Sequence, residues 1–250
     1  MTRLQTLIIG HRGASGSEPE NTMRAFHAAQ KDGADGIELD IFQCSDKIIV
    51  VTHDIDTYRL TKQKHNVRKS TLSTLRSLDY GKNERIPTLE EVFETFLNKF
   101  KIINVEIKST GLKSDGIEDN LAKLICKFDC QKKILVSSFN PLNIYRIKRL
   151  LPEIRIGYLI EPKLSSARFH LRTIRWLKPD TLNLHPGLLD HAATKAYFDL
   201  DIPLWMWAVD TKRDWQYWLK RRAQAIITNH PKDLRTYMKS LEARKMALKT

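Results

Sequence analysis

Short β-like runs alternate with longer helical stretches along the whole chain, and this alternation constrains the fold more than any other feature. The β-like runs are 6–10, 36–41, 102–108, 134–138, 155–160, 181–184, 204–209 and 225–228. The helical stretches lie near 20–32, 88–98, 116–128, 141–151, 166–177, 189–200, 212–222 and 231–246. Asn140-Pro141 and His230-Pro231 put proline at a first helical position, and Thr88-Leu89-Glu90-Glu91 has the form of a capping box. Trp215, Trp218 and Leu219 fall at i, i+3 and i+4, the spacing of a buried helix face. Strict alternation over 250 residues predicts a (β/α)8 barrel. A doubly wound open sheet is the alternative, because alternation alone does not show closure. No linker, repeat or low-complexity tract divides the chain, so one domain over 1–250 is expected. Residues 47–53 read as an extra strand, and 54–87 as a polar insertion of the kind that forms lids or substrate walls.

Composition narrows the class. Hydrophobic content of 42% and charged content of 28% exclude a disordered chain and a disulfide-stapled miniprotein. Cys44, Cys126 and Cys130 are few and odd in number, which fits a reducing, cytoplasmic setting. Cys126 and Cys130 lie on an expected helix with no ligand pair at zinc spacing. The first ten residues lack a cleavage site, and no apolar run reaches 18 residues, so neither a leader nor stable membrane insertion is expected. The net charge of +13 falls entirely in residues 126–250. Such a half suits nucleic acid, a membrane surface or a small anionic substrate.

The strand ends carry the chemistry, since functional groups of a parallel barrel gather at the C-terminal edge. They read Gly10-His11-Arg12-Gly13, Glu38-Leu39-Asp40, His53-Asp54 and Glu106-Ile107-Lys108. The period of two turns Glu38 and Asp40 to one face and Leu39 to the other, and it pairs Glu106 with Lys108 likewise. Three carboxylates on one rim repel unless they are protonated or bridged by a cation, and one Mg²⁺ or Ca²⁺ is the simplest resolution. Arg12 and Lys108 supply positive charge for an anion. His11 and His53 move protons near neutral pH. Together these groups describe metal-assisted phosphoryl transfer. Charges inside apolar strands are costly without such a purpose. His27, His65, His170, His185, His191 and His230 lack comparable company and are read as structural.

The stretch HRGASGSEPENTMRAFHAAQKDGADGIELDIFQCSDKIIVVTHD, residues 11–54, resembles the signature region of the glycerophosphodiester phosphodiesterase family. The resemblance continues through IPTLEEVFE at 86–94, NVEIK at 104–108, SSFNP at 137–141, LWMWAVD at 204–210 and AIITNHP at 225–231. It implies a (β/α)8 barrel with an inserted subdomain, here about 54–87. It implies hydrolysis of small glycerophosphodiesters, such as glycerophosphocholine, to glycerol 3-phosphate and an alcohol. It makes His11 and His53 the general acid and base, with His53 favoured as base. It gives Arg12 and Lys108 to phosphate, and Glu38, Asp40 and Glu106 to the divalent metal. Glu20 and Asn21 would shape the site. Trp207 either walls the glycerol pocket or belongs to the barrel core.

Three stretches depart from the family pattern. Cys44-Ser45-Asp46-Lys47 stands for Thr-Lys-Asp-Gly, Trp207-Ala208-Val209-Asp210 for Trp-Thr-Val-Asn, and Thr228-Asn229-His230-Pro231 for Thr-Asp-x-Pro. Two other readings compete. One keeps the barrel and makes it a phospholipase-D-like or phosphoinositide phosphodiesterase, which would want apolar rim loops where this insertion is polar. The other is a nucleic-acid-binding protein using the basic half, but no nucleic-acid motif accompanies those charges. No nucleic-acid partner is therefore expected, and the chain is read as a monomer or homodimer.

Overall fold

The computed structural model describes residues 6–108, 111–162, 166–188 and 192–247. Nine strands form one sheet: β1 (Leu7–His11), β2 (Gly36–Gln43), β3 (Ile49–Val51), β4 (Ile102–Ile107), β5 (Ile134–Ser138), β6 (Arg155–Ile160), β7 (Thr181–Leu184), β8 (Leu204–Met206) and β9 (Ala225–Thr228). All pair in parallel except β3, which lies antiparallel on β2. β1 pairs with both β2 and β9, so the parallel strands close into a barrel and the open-sheet alternative falls. The helices are α1 (Met23–Lys31), α2 (Tyr58–Thr61), α3 (Leu72–Arg76), α4 (Leu89–Phe96), α5 (Ile117–Lys127), α6 (Pro141–Leu150), α7 (Ala167–Leu177), α8 (Ala192–Phe198), α9 (Lys212–Lys220) and α10 (Pro231–Ala247). α2 and α3 lie in the insertion, and the others follow barrel strands.

The sheet buries apolar side chains on both faces, as a parallel barrel requires. Outward residues such as Leu39, Val105, Ile107 and Val136 pack against the helices. Ile9, Ile102, Leu135, Trp205, Ala225 and Ile227 form a separate cluster inside the barrel. Phe42, Val50, Val67, Leu75, Leu78 and Tyr80 make a third cluster that joins the insertion to β2 and β3.

The expected start signals operate. Thr88 and Glu91 exchange both capping-box bonds, and Asn140 caps Pro141. Trp215 and Trp218 are buried, with Leu219 packed beside them.

Several boundaries differ from expectation, each for a local reason. The first helix begins at Met23 rather than 20, because Asn21 has a φ of 57° and Thr22 caps the helix. The extra strand shortens to Ile49–Val51, because Lys47 turns through a φ of 64°. The 204–209 run pairs only to Met206, after which the chain bends so that Asp210 meets Thr228 and Asn229. α5 ends at Lys127, so Cys130 lies beyond the helix that holds Cys126. The first residues of the expected 189–200 helix, including His191, lie outside the described residues.

Candidate active site

The turn after β1 builds one corner of the rim. Arg12 and Gly13 both take positive φ, 53° and 86°. Gly13 admits no side chain, since a Cβ there would stand 2.6 Å from the Ala25 carbonyl carbon. The turn aims the Arg12 N–H at Glu38 Oε2, 2.9 Å away. The Arg12 guanidinium lies 3.2 Å from Asp40 Oδ2 and 2.9 Å from Glu20 Oε1. Asn21, buried beside it, donates from Nδ2 to Asp40 Oδ2 at 2.8 Å and accepts from the Asp40 N–H.

Glu38 and Asp40 point inward from β2, and the register sets Asp40 opposite Glu106 of the neighbouring β4. One oxygen from each of the three buried carboxylates lies within 4.8 Å of the others. Lys108, just past β4, places Nζ 2.7 Å from Glu106 Oε1 and 3.2 Å from Asp40 Oδ1. Three carboxylates thus face two cations. Burial, then Asp40 and Glu106, push Glu38 well above the usual carboxylate range. Burial also pushes Glu106 up to about 7, against the pull of Lys108. Burial opposes ionisation of Asp40 too, but Lys108 and Arg12 outweigh it and hold that carboxyl well below its ordinary range. Asp40 Oδ1 is buried, with the Lys108 ammonium as its neighbouring charge. A cluster of hard oxygen donors with two carboxyls short of positive charge fits a Mg²⁺- or Ca²⁺-like cation.

His11 and His53 stand on different supports. His11 Nε2 lies 3.9 Å from Glu38 Oε2, and its Nδ1 lies 2.7 Å from Asn229 Oδ1. Asn229 donates from Nδ2 to Asp210 Oδ2 at 2.5 Å and from its backbone N–H to Asp210 Oδ1 at 2.8 Å. Thr228 donates its hydroxyl to the same Asp210 oxygen, and Ser15 Oγ lies 2.6 Å from Asn229 Oδ1. A carboxylate only accepts, so the Asn229 amide must turn its nitrogen to Asp210 and its oxygen to His11. The proton of neutral His11 then sits on Nδ1, and the Nε2 lone pair faces the site. Burial, then Arg12, lower His11 to about 4, against Asp40 and the Asn229 bond.

His53 Nδ1 lies 2.7 Å from Asp54 Oδ1. Arg59 of α2 donates from Nε to Asp54 Oδ2 at 2.5 Å and from Nη2 to Glu20 Oε1 at 2.6 Å. An ionic chain therefore runs from His53 through Asp54, Arg59 and Glu20 to Arg12. Burial lowers His53, with Lys108 and Arg12 adding to it and Asp40 and Asp54 opposing.

The two histidines open on separate cavities. One, of about 560 Å³, is lined by His53, Tyr58, Lys108 and Phe139 among others. The other, of about 370 Å³, is lined by His11, Arg12, Ser15, Glu20, Asn229 and His230. Trp207 is half-buried beyond β8, donates from Nε1 to the Asn183 carbonyl at 3.0 Å, and meets Phe139 edge-on at 5.4 Å. It lies against the inner cluster as well as near this rim, so neither sequence alternative holds alone.

All the residues expected at the rim come to it. Sequence reasoning missed Arg59, the link through Glu20, and the pairing of Asp210 with Asn229. The last carried a signal, since both residues sit in stretches that depart from the family pattern. Among the residues read as structural, His170 is buried against the Tyr158 hydroxyl at 2.9 Å, and His185 packs edge-on against Trp207. His230 borders the second cavity.

Residues 11–233 match the Glycerophosphoryl diester phosphodiesterase family. A glycerophosphodiester phosphodiesterase of Caldanaerobacter subterraneus subsp. tengcongensis is 35% identical over 243 residues, covering 92% of this chain and 97% of that protein. Among solved structures, a phosphodiesterase of Oleispira antarctica in complex with the product sn-glycerol-3-phosphate superposes with a TM-score of 0.80 at 25% identity, covering 94% of this chain and 97% of that one. A glycerophosphodiester phosphodiesterase of Thermotoga maritima superposes with a TM-score of 0.76 at 26% identity, covering 91% and 96%.

Proposed function

The chain belongs to the glycerophosphoryl diester phosphodiesterase family, enzymes that hydrolyse glycerophosphodiesters, and on that premise we propose that it works with one divalent cation and a pair of proton-transferring histidines. The observation that carries the reading is the buried carboxylate triad flanked by Arg12 and Lys108, with a histidine toward a cavity on either side.

Glu38, Asp40 and Glu106 would hold the cation, Mg²⁺ or Ca²⁺, which when bound supplies Lewis-acid polarisation of a phosphate oxygen. Arg12 and Lys108 bind the remaining phosphate charge. Both are fixed by carboxylates beforehand, so they need no reorganisation as negative charge develops. His11, held by Asn229 with its proton on Nδ1, offers Nε2 to take the proton of the attacking oxygen, whether a glycerol hydroxyl or water. His53 is also lowered by burial, but Asp54 and Asp40 oppose that pull, so it is the easier of the two to protonate and would give its proton to the leaving alkoxide. These supports favour the reverse of the order expected from the sequence, which made His53 the base. The insertion at 54–87 would act as a small subdomain over the His53 cavity. It contributes Tyr58 there and is tied to the barrel rim through Arg59 and Glu20. Phe139 would wall the glycerol side of the same cavity, with Trp207 packed edge-on against it.

The test is a panel of glycerophosphodiesters with different alcohols, assayed with the parent, His11→Ala and His53→Ala. The parent should release sn-glycerol 3-phosphate, and each variant should lose roughly 10²–10⁴-fold in kcat with its fold retained. Near-normal turnover in both variants would remove the two-histidine reading.

A further inference from the structure

Part of the charge excess of the second half lies on one wall of the barrel, where no acidic side chain interrupts it. α6 and α7 contain no acidic residue and carry Arg146, Lys148, Arg149, Arg168, Arg172 and Arg175. Arg146 pairs with Glu118 at 3.3 Å, and Lys148 lies 3.8 Å from Asp180. Among the described residues, the other four arginines have no carboxylate at ion-pair distance. Arg168, Phe169, Arg172, Arg175 and Trp176 all face solvent from one side of α7. Large apolar groups are exposed among these cations: Trp176 at 51%, Phe169 at 49%, Leu150 at 43% and Tyr145 at 38%. Tyr145 and Trp176 stack with centroids 5.0 Å apart, joining the two helices into one face, and the Arg149 guanidinium lies 5.9 Å from the Tyr145 ring.

We propose that this α6–α7 face docks the enzyme on an anionic phospholipid surface. Unpaired arginines are attracted to acidic head groups, and Trp and Tyr settle at the head-group level, where their rings are half in apolar surroundings. No described helix is long and apolar enough to cross a membrane, so the attachment is peripheral. The charge argues against a second copy of this chain, because two such faces would set four unpaired cations against four. It fits a single-stranded nucleic acid less well, because the Tyr145 and Trp176 rings already stack on each other rather than standing free for bases. The location has a chemical sense. A glycerophosphodiester is a phospholipid without its acyl chains, so deacylation at a lipid surface supplies it there.

The test uses the full chain with vesicles of phosphatidylglycerol and phosphatidylcholine, or of phosphatidylcholine alone, in co-sedimentation at low and high salt. Binding should require the anionic lipid and weaken with salt. A cation near the surface is worth about fivefold in partition, so Arg172→Glu with Arg175→Glu should weaken binding by at least roughly 25-fold. Lys212→Glu with Lys220→Glu, the same charge change on α9, should weaken it far less. Tyr145→Ala with Trp176→Ala should weaken binding at unchanged net charge. All variants should hydrolyse a soluble glycerophosphodiester as the parent does, which separates docking from catalysis and from folding. The proposal is overturned if the parent does not sediment with anionic vesicles, or if the α9 pair loses as much as the α7 pair. It is overturned equally if a single-stranded oligonucleotide binds the α6–α7 face more tightly than the vesicles do.

Discussion

Replacing Asp210 with Asn tests whether a side chain that lines neither cavity sets the chemistry of His11. Asp210 accepts three hydrogen bonds, from the Thr228 hydroxyl, the Asn229 N–H and Asn229 Nδ2. In Asp210→Asn the new amide nitrogen meets Asn229 Nδ2 at the present 2.5 Å, donor against donor. A half-turn of the Asn229 amide relieves the clash and presents its nitrogen to His11 Nδ1 and Ser15 Oγ. His11 must then carry its proton on Nε2, and the lone pair that faces the site is lost. Loss of a positioned proton acceptor costs roughly 10²–10⁴ in rate, or about 2.7–5.5 kcal/mol in the barrier. The effect on stability should be only about 1–3 kcal/mol, the cost of one charged acceptor. The assay is release of sn-glycerol 3-phosphate under saturating substrate, with nitrogen NMR of the His11 ring reporting which nitrogen holds the proton. The double variant Asp210→Asn with Asn229→Asp moves the carboxylate next to His11, where it again accepts from Nδ1. It should recover most of the lost turnover, as coupled neighbours do. Turnover of Asp210→Asn within threefold of the parent, or no recovery in the double variant, would refute the argument.

Two other outcomes follow from named positions. Lys47 holds a φ of 64° in the turn before β3, where its N–H bonds to the Cys44 carbonyl at 3.0 Å. Lys47→Gly should relieve the left-handed strain at a smaller entropic cost, stabilising by about 0.5–1 kcal/mol and raising Tm by about 1–4 °C in thermal unfolding. No gain would mean that the turn is unstrained. Glu106, raised to about 7, must shed its proton to bind a cation. Affinity for Mg²⁺ or Ca²⁺ should therefore rise with pH through about 7, with Glu38, raised as well, adding to the slope. Calorimetry in two buffers of different ionisation heat should show proton release near pH 6, and a flat affinity from pH 5.5 to 7.5 would contradict it.

The barrel was legible because its strands are short apolar runs between well-capped helices, and periodicity reports that arrangement directly. The triad was legible for a related reason. Glu38, Asp40 and Glu106 are charges inside apolar strands, and the period of two fixes the face they share. What sequence order could not convey is how groups far apart in the chain are oriented toward each other. Arg59 reaches Glu20 across the rim, and Asn229 reaches His11 from the last strand end, through geometry that no local pattern encodes. The assignment of base and acid depends on those contacts, since His11 and His53 read alike as strand-end histidines and differ only in what holds Nδ1. The overlong 204–209 strand has a similar origin. Val209 is buried and reads as strand, yet it is buried by a bend whose purpose is to bring Asp210 to Asn229.

The central claim is that the buried triad acts through a divalent cation in glycerophosphodiester hydrolysis. Its most direct test is the rate of sn-glycerol 3-phosphate release from glycerophosphocholine by the purified chain after exhaustive chelation and again after Mg²⁺ or Ca²⁺ is returned, run beside Glu38→Gln. The account predicts that chelation abolishes release in the parent, that the ion restores it, and that Glu38→Gln stays inactive in both conditions. Undiminished release from the chelated parent, or full activity in Glu38→Gln, would contradict it.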